Sequence, residues 1–358
     1  MITNLAPPYR LPLFDMLARR LGVDIHLFGA GADQYWSQRE VAASIPPTFA
    51  SRLRRLARIY RFIRGGKYDV IIKCINGRLE LPAIYTAAHR TRLPFILWTG
   101  LWHHPRSAAH FISYPVVRHI YRHSDAICVY GEHVKAYLEA KGVDRRRLFV
   151  VGQASKILEP PSINSPSGVA TLLFVGRLVR EKGIDYLLEA VRTMRTRPLR
   201  VLFVGDGPLE SMIRMHQARF ALGGTQFVLA GPASGSALSD YYRQASVLVL
   251  PSITTRTVRE PWGLVVNEAM HARIPVVTTT AVGAAAGGLV EDQISGLVVP
   301  EKNAQALAHA LDRLLTDRAL CLRLVESAAV RIRDYSHERM FEQFKAAILF
   351  AAEQGVAA

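Results

Sequence analysis

Residues 170–191 read ATLLFVGRLVREKGIDYLLEAV, and this stretch decides the fold. Ala170–Val175 is a short, almost wholly apolar run, as expected of a strand buried on both faces. Gly176 to Gly183 follows as a charged, Gly-bounded turn. From Ile184 to Met194 the apolar residues return at helical spacing. Strand, turn and helix in that order are the repeating unit of a parallel sheet covered by helices.

The same alternation extends in both directions. Apolar runs occur at Val23–Phe28, Asp69–Cys74, Phe95–Trp98, Ala126–Tyr130 and Leu148–Val151, and again at Arg200–Val204, Gln226–Leu229, Val247–Leu250 and Pro275–Thr278. Helical spacing lies between them, as at Pro12–Leu21 and Ala304–Leu315. The alternation pauses at Gln153–Gly168, where Pro and Ser break any period. The pattern predicts an α/β protein of two doubly wound, Rossmann-like domains: 1–155, a linker at 156–168, and 169–335. A last helix over 336–358 carries Met340, Phe341, Phe344, Ile348 and Ala351 on one face. The first strand, Ile2-Thr3-Asn4, is either a stub or the remnant of a start further upstream.

With 358 residues, 50% apolar and 21% charged, the chain is long enough for two cores and is not a disordered one. Its longest stretch free of Asp, Glu, Lys and Arg, Phe220–Ser239, is rich in Gly, Ser, Thr and Pro and does not read as a membrane span. Met1–Arg10 lacks the layout of a signal peptide. Cys74, Cys128 and Cys321 are too scattered for a disulfide framework, which leads us to expect a reduced, cytoplasmic protein. The net charge of +16 is lopsided, with +13 in residues 1–160 and +3 in 161–358. Such segregation points to an anionic partner for the first half: nucleic acid, acidic lipid or a phosphorylated substrate.

Three motifs in the second half suit an anionic, hydroxyl-rich ligand. Gly176 and Arg177 end a strand, and Lys182 precedes a helix whose N-terminal N–H groups favour a diphosphate; a merely solvated basic loop has the same composition. Gly205-Asp206-Gly207-Pro208 turns the next strand into its helix without giving the Gly-x-Gly-x-x-Gly dinucleotide fingerprint. The third, residues 259–270, reads REPWGLVVNEAM. Pro261 suits a first helical turn, Gly263 opens space for a ligand, Glu260 then falls just before the helix and Glu268 about two turns in. The two carboxylates suit hydroxyls of a polyol, or else serve structural ion pairs.

Taken together these motifs, in this order and spacing, resemble the family 4 retaining glycosyltransferases of GT-B fold, of the kind that builds bacterial surface polysaccharides or lipid-linked glycans. The likeness is close over 170–300 and looser elsewhere. It implies two domains facing a cleft, the first for the acceptor and the second for the donor, with the last helix packed back on the first. It further implies that Arg177 and Lys182 hold the diphosphate of a nucleotide sugar, that Glu268 binds the ribose and Glu260 the transferred sugar. Gly176, Gly205, Gly263 and Leu264 would line the donor site through their backbones, with the loop Thr280–Gly288 alongside. No metal or other cofactor is implied.

The first half departs from the family pattern. Its first loop is Ala6-Pro7-Pro8-Tyr9-Arg10 instead of Gly-rich, and the His expected after the strand at Pro94–Trp98 arrives late, as His103 and His104. Either His is a candidate for the sugar or acceptor hydroxyl, while Tyr9, Arg10 and Trp102 are candidate acceptor contacts. His119 and His123 share a helix spacing but lack the further ligands zinc needs. Residues 51–67 hold six Arg and one Lys without an acid. A helix there would set Leu53, Leu56, Ala57, Tyr60 and Ile63 among arginines, suiting an anionic membrane surface or an ordinary packed helix with a wet back. The expected activity is sugar transfer to a lipid-linked or polysaccharide hydroxyl, with retention, at the inner face of the plasma membrane. A GT-B epimerase or phosphorylase is the rival. A nucleic-acid binder is disfavoured because the first half shows no recognisable nucleic-acid-binding motif.

Overall fold

The structure, a computed structural model, describes residues 1–3, 6–28, 47–49, 55–156, 169–220 and 224–356. The chain forms two units, Met1–Ala154 with Ser336–Ala358, and Ser155–Tyr335. The linker expected at 156–168 falls, apart from Lys156, outside the described residues.

In the first unit the strands are β1 (Ile2–Thr3), β2 (His26–Phe28), β3 (Pro47–Phe49), β4 (Ile71–Cys74), β5 (Phe95–Thr99), β6 (Ala126–Val129) and β7 (Leu148–Val150). They pair in parallel in the order β3-β2-β1-β4-β5-β6-β7. The stub β1 is therefore central, supported on both sides despite its two described residues. Side chains alternate across the sheet. Ile96 and Trp98 face helix α1 (Leu11–Leu21) and the C-terminal helix His337–Val356, packing with Leu13, Leu17, Met340 and Phe344. Phe344 meets the Trp98 ring edge-on at 5.1 Å. Phe95 and Leu97 face the other way, toward α2 (Arg55–Gly65), α3 (Glu80–Arg90), α4 (Ala108–His123) and α5 (Glu132–Glu139).

The basic helix differs from its expected form. Its described part spans Arg55–Gly65 and stops short of Lys67; residues 51–54, with Arg52 and Arg54, lie outside the described residues, as do the side chains of 55–58. Its inward face is Ile59 and Ile63, each 1% exposed, packed toward α3, while Tyr60 is only partly buried. Four-residue spacing put Ile59 on the core side, a position that a stripe drawn through Tyr60 overlooks.

The second unit orders its strands β10-β9-β8-β11-β12-β13, all parallel. These are β8 (Ala170–Val175), β9 (Leu199–Val204), β10 (Thr225–Gly231), β11 (Val247–Leu250), β12 (Val276–Thr279) and β13 (Leu297–Val299). The connecting helices include α6 (Ile184–Thr193), α7 (Glu210–Phe220), α8 (Gly235–Arg243), α9 (Val265–His271) and α10 (Gly283–Ala286). Phe174, Phe203 and Val249 of the sheet bury against Leu187 and Val191 of α6 and against Leu307 and Leu311 of the helix Ala304–Thr316. Both sheets are thus wound outward from their first strand, the doubly wound plan.

Candidate functional site

In the second unit β8 lies between β9 and β11, so the chain leaves β8 on one side and later returns on the other. Loops after the two neighbouring strands diverge there and leave a crevice at the carboxyl edge of the sheet, the common ligand position in such folds. The loop after β8 carries Gly176 and Arg177, then a 3-10 turn at Arg180–Lys182 that ends in Gly183 with φ 69°. A Cβ on Gly183 would stand 1.9 Å from the Pro251 carbonyl oxygen, so only glycine lets this loop press on the one after β11.

That contact aims Lys182 across the crevice. Its Nζ lies 2.5 Å from Glu260 Oε2, and Ser252 Oγ donates to the same oxygen at 3.0 Å. The Ser252 carbonyl accepts from Thr279 Oγ1, tying β11 to β12. The side chains of Lys182 and Glu260 are 19% and 13% exposed, so the pair is sheltered yet reachable from the mouth. Such charge-assisted bonds are stronger than neutral ones. Arg177, by contrast, stands exposed at the strand end. Gly205, after β9, closes against the Gly176 carbonyl, bringing the two glycine turns together.

The expected helix start is corrected. Pro261 does not open the helix; Glu260 forms a bridge with Val282, and α9 begins at Val265 with Leu264 as its N-cap. Glu268 therefore sits in the first turn, not two turns in. The positive φ of Gly263, 94°, with a would-be Cβ 2.6 Å from Leu250 Cδ2, bends the chain before the helix is reached. The loop at 280–288 runs beside Glu260, since Gly283 N donates to its carbonyl at 3.1 Å and Ala284 N to that of Trp262 at 2.7 Å. Trp262 Nε1 donates in turn to Asn267 Oδ1 at 2.8 Å, anchoring the bend to the helix.

Glu268 occupies a drier place. Burial pushes its carboxyl up to about 7, against a smaller opposing effect of Tyr242, whose hydroxyl donates to Glu268 Oε2 at 2.6 Å. Tyr242 comes from α8 and is 1% exposed. No motif pointed to Tyr242 or Ser252, because their relation to the glutamates exists only in three dimensions.

In the first unit Arg10 stands near the carboxyl ends of β5 and β6. Arg10 Nη2 donates to Tyr130 Oη at 2.6 Å, and the guanidinium lies 4.3 Å over the Trp98 ring. Arg10 Nε, Trp98 Nε1 and His103 Nε2 are buried without a hydrogen-bond partner among the described residues. Lys73, inside β4, is fully buried, and burial lowers its ammonium to about 8; Nζ donates to Asn76 O at 2.8 Å and to Asn76 Oδ1 at 2.7 Å. A lysine in the run Ile71–Cys74 was the signal available in the sequence. His104 Nε2 lies 3.3 Å from the His110 carbonyl and burial lowers its pKa, while Trp102 meets His133 edge-on. Tyr9 belongs to the 3-10 turn Pro8–Arg10, and its carbonyl lies 2.8 Å from His337 Nε2. His119 and His123 stack on each other at 4.1 Å, and no metal-binding group of three or more His, Cys, Asp or Glu occurs among the described residues.

Comparisons with known proteins bear on the family and the fold. A glycosyltransferase of Methanocaldococcus jannaschii is 34% identical over 151 residues, 41% of this chain and 36% of its own length. The alpha-D-kanosaminyltransferase of Streptomyces kanamyceticus is 33% identical over 164 residues, 44% of this chain and 39% of its own length. The matched part is thus well under two thirds of these relatives. Among solved structures, Anabaena HepE in complex with UDP-glucose superposes with a TM-score of 0.75 over 96% of this chain and 97% of its own, at 16% identity. Residues 3–153 match the glycosyl transferase 4-like domain and residues 155–331 the glycosyl transferases group 1 family, so the chain belongs to the glycosyltransferases of GT-B fold.

Proposed function

We propose that this chain transfers a sugar from a nucleotide diphosphate-sugar to a hydroxyl of a lipid-linked or polysaccharide acceptor, retaining the anomeric configuration. The observation that carries this reading is the sheltered Lys182–Glu260 pair with Ser252 at the switch point of the second unit. A bound donor would place its diphosphate against Lys182, with Arg177 within the same loop, and offer sugar hydroxyls to Glu260 and ribose hydroxyls to Glu268. Departure of the nucleotide diphosphate builds negative charge on its terminal phosphate, and Lys182 stabilises that charge. The incoming hydroxyl attacks from the face the diphosphate leaves, giving its proton to a departing phosphate oxygen as the new glycosidic bond forms. The UDP-glucose held by HepE makes a uridine donor the first to try.

The first unit would serve the acceptor. Arg10, Trp98 and His103 hold buried nitrogen atoms without partners among the described residues at the carboxyl edge of its sheet, where ligands of such folds bind. An epimerase or phosphorylase would use the same donor chemistry but turn over without an acceptor hydroxyl. The test is thermal stabilisation of the purified protein by UDP-, GDP- and ADP-sugars, which binding must produce by linkage. Stabilisation by one nucleotide sugar, lost in Lys182→Ala, supports the reading; no stabilisation by any of them refutes it.

A further inference from the structure

The helix α4 carries apolar side chains where the fold has no use for them. Phe111 is 82% exposed, Ile112 76% and Val116 46%, while Ile120 and Tyr121, a turn or more onward, are buried in the core. Positions 111, 112, 115 and 116 share one helix face. Leu79, at the N-cap of the adjacent α3, is 68% exposed. Both helices connect parallel strands, so both begin at the carboxyl edge of the sheet. The exposed set therefore gathers at that edge, beside Trp102 and His103. Isolated exposed apolar residues are ordinary, but a clustered set of this size marks a contact surface.

The charge around the patch selects the partner. Residues 79–124 contain five Arg and six His against a single acid, Glu80 beside Leu79. Arg106 precedes α4 and Arg118 follows the patch along it, and both are exposed, while Arg122 further on donates to the Lys141 carbonyl at 3.0 Å. A second copy of this face would set arginine against arginine. An interface of anionic headgroups over hydrocarbon satisfies both features at once, taking the apolar side chains inward and the arginines at headgroup level. We propose that the first unit docks on anionic lipid bilayers through α4, with Phe111, Ile112 and Val116 entering the lipid and Arg106 and Arg118 at the headgroups. Docking passes to α4 because the helix at Arg55–Gly65 turns its own apolar residues, Ile59 and Ile63, into the core. Among the described residues no helix is long and apolar enough to cross a membrane, so the contact is a surface one.

The experiment is co-sedimentation of the full chain with vesicles of phosphatidylcholine alone or mixed with phosphatidylglycerol. Binding is expected to the anionic vesicles only, and to weaken as salt screens the arginines. Phe111→Ser with Ile112→Ser removes two large apolar side chains and should lower the partition coefficient by about tenfold or more. Arg106→Gln with Arg118→Gln should weaken it as well. Both substitutions lie on the solvent side, so stabilisation by nucleotide sugar should be unchanged in them, separating this proposal from the proposed activity. A Phe111→Trp variant gives a direct readout, its fluorescence shifting blue on anionic vesicles. Wild type that stays in the supernatant, equal binding to neutral vesicles, or a serine double variant that sediments like wild type would each overturn the proposal. So would a wild-type dimer that the serine variant turns into monomer without any vesicle binding.

Discussion

Glu268 offers a prediction in which stability and binding move in opposite directions. Its carboxyl stands at about 7 in the folded chain against an ordinary 4.5, with burial as the main cause. A carboxyl raised in this way is neutral in both states at pH 4. Between 4.5 and 7 the unfolded chain ionises first, so folding stability falls across that window and stays lower above it. At 1.36 kcal/mol per pKa unit the loss amounts to about 3 kcal/mol. Glu268→Gln keeps the shape and an acceptor for Tyr242 but has nothing to ionise. The variant should therefore gain on wild type as pH rises from 4.5 to 8, by about 3 kcal/mol in urea unfolding. Donor affinity should do the reverse. If ribose hydroxyls donate to the ionised carboxylate, the folded protein must first lose a proton below pH 7. Nucleotide affinity of wild type should then be about tenfold weaker at pH 6 than at pH 8, the ratio expected for one group titrating at 7. In Glu268→Gln affinity should be low and flat. Calorimetric titration with UDP at both pH values, beside unfolding curves of both proteins, checks the two halves. A wild-type affinity indifferent to pH, with no pH-dependent stability gain in the variant, would show that the carboxyl is neither dry nor in contact with the donor.

Lys182→Ala should lower turnover at saturating donor by about 10²–10³, or about 2.7–4 kcal/mol of transition-state stabilisation, and should also lower the unfolding midpoint because Glu260 loses its partner in a sheltered place; turnover near wild type would remove Lys182 from the chemistry. Glu260→Gln should spare nucleotide binding and depress turnover, measured side by side by calorimetry and a coupled nucleotide-release assay, and equal losses of nucleotide affinity in Glu260→Gln and Glu268→Gln would defeat their separate roles. Phe344→Ala, emptying a fully buried site against Trp98, should destabilise the first unit by about 3–5 kcal/mol in chemical denaturation. An unfolding curve that does not move would mean the C-terminal helix contributes no packing there.

The sequence by itself carried the parallel α/β plan, because burial on both faces makes strands such as Val247–Leu250 apolar throughout and the intervening helices periodic. It also carried the turns at Gly176–Gly183 and Gly205–Pro208, whose geometry is set by residues next to one another in the chain. Tertiary structure decided the rest. Glu268 is a polar residue in a local pattern until Tyr242, 26 positions away, closes over it and burial shifts its proton affinity. Lys182 finds Glu260 and Ser252 only because β8 and β11, far apart in the chain, pair as neighbours. Pro261 is consistent with a helix start, but the bridge to Val282 and the left-handed Gly263 delay the helix to Val265. The two amphipathic helices of the first unit make the same point from the surface. Periodicity shows that a helix has an apolar side, but which apolar residues reach the core is settled by the neighbour against which the helix packs, burying Ile59 and Ile63 and leaving Phe111 and Ile112 outside.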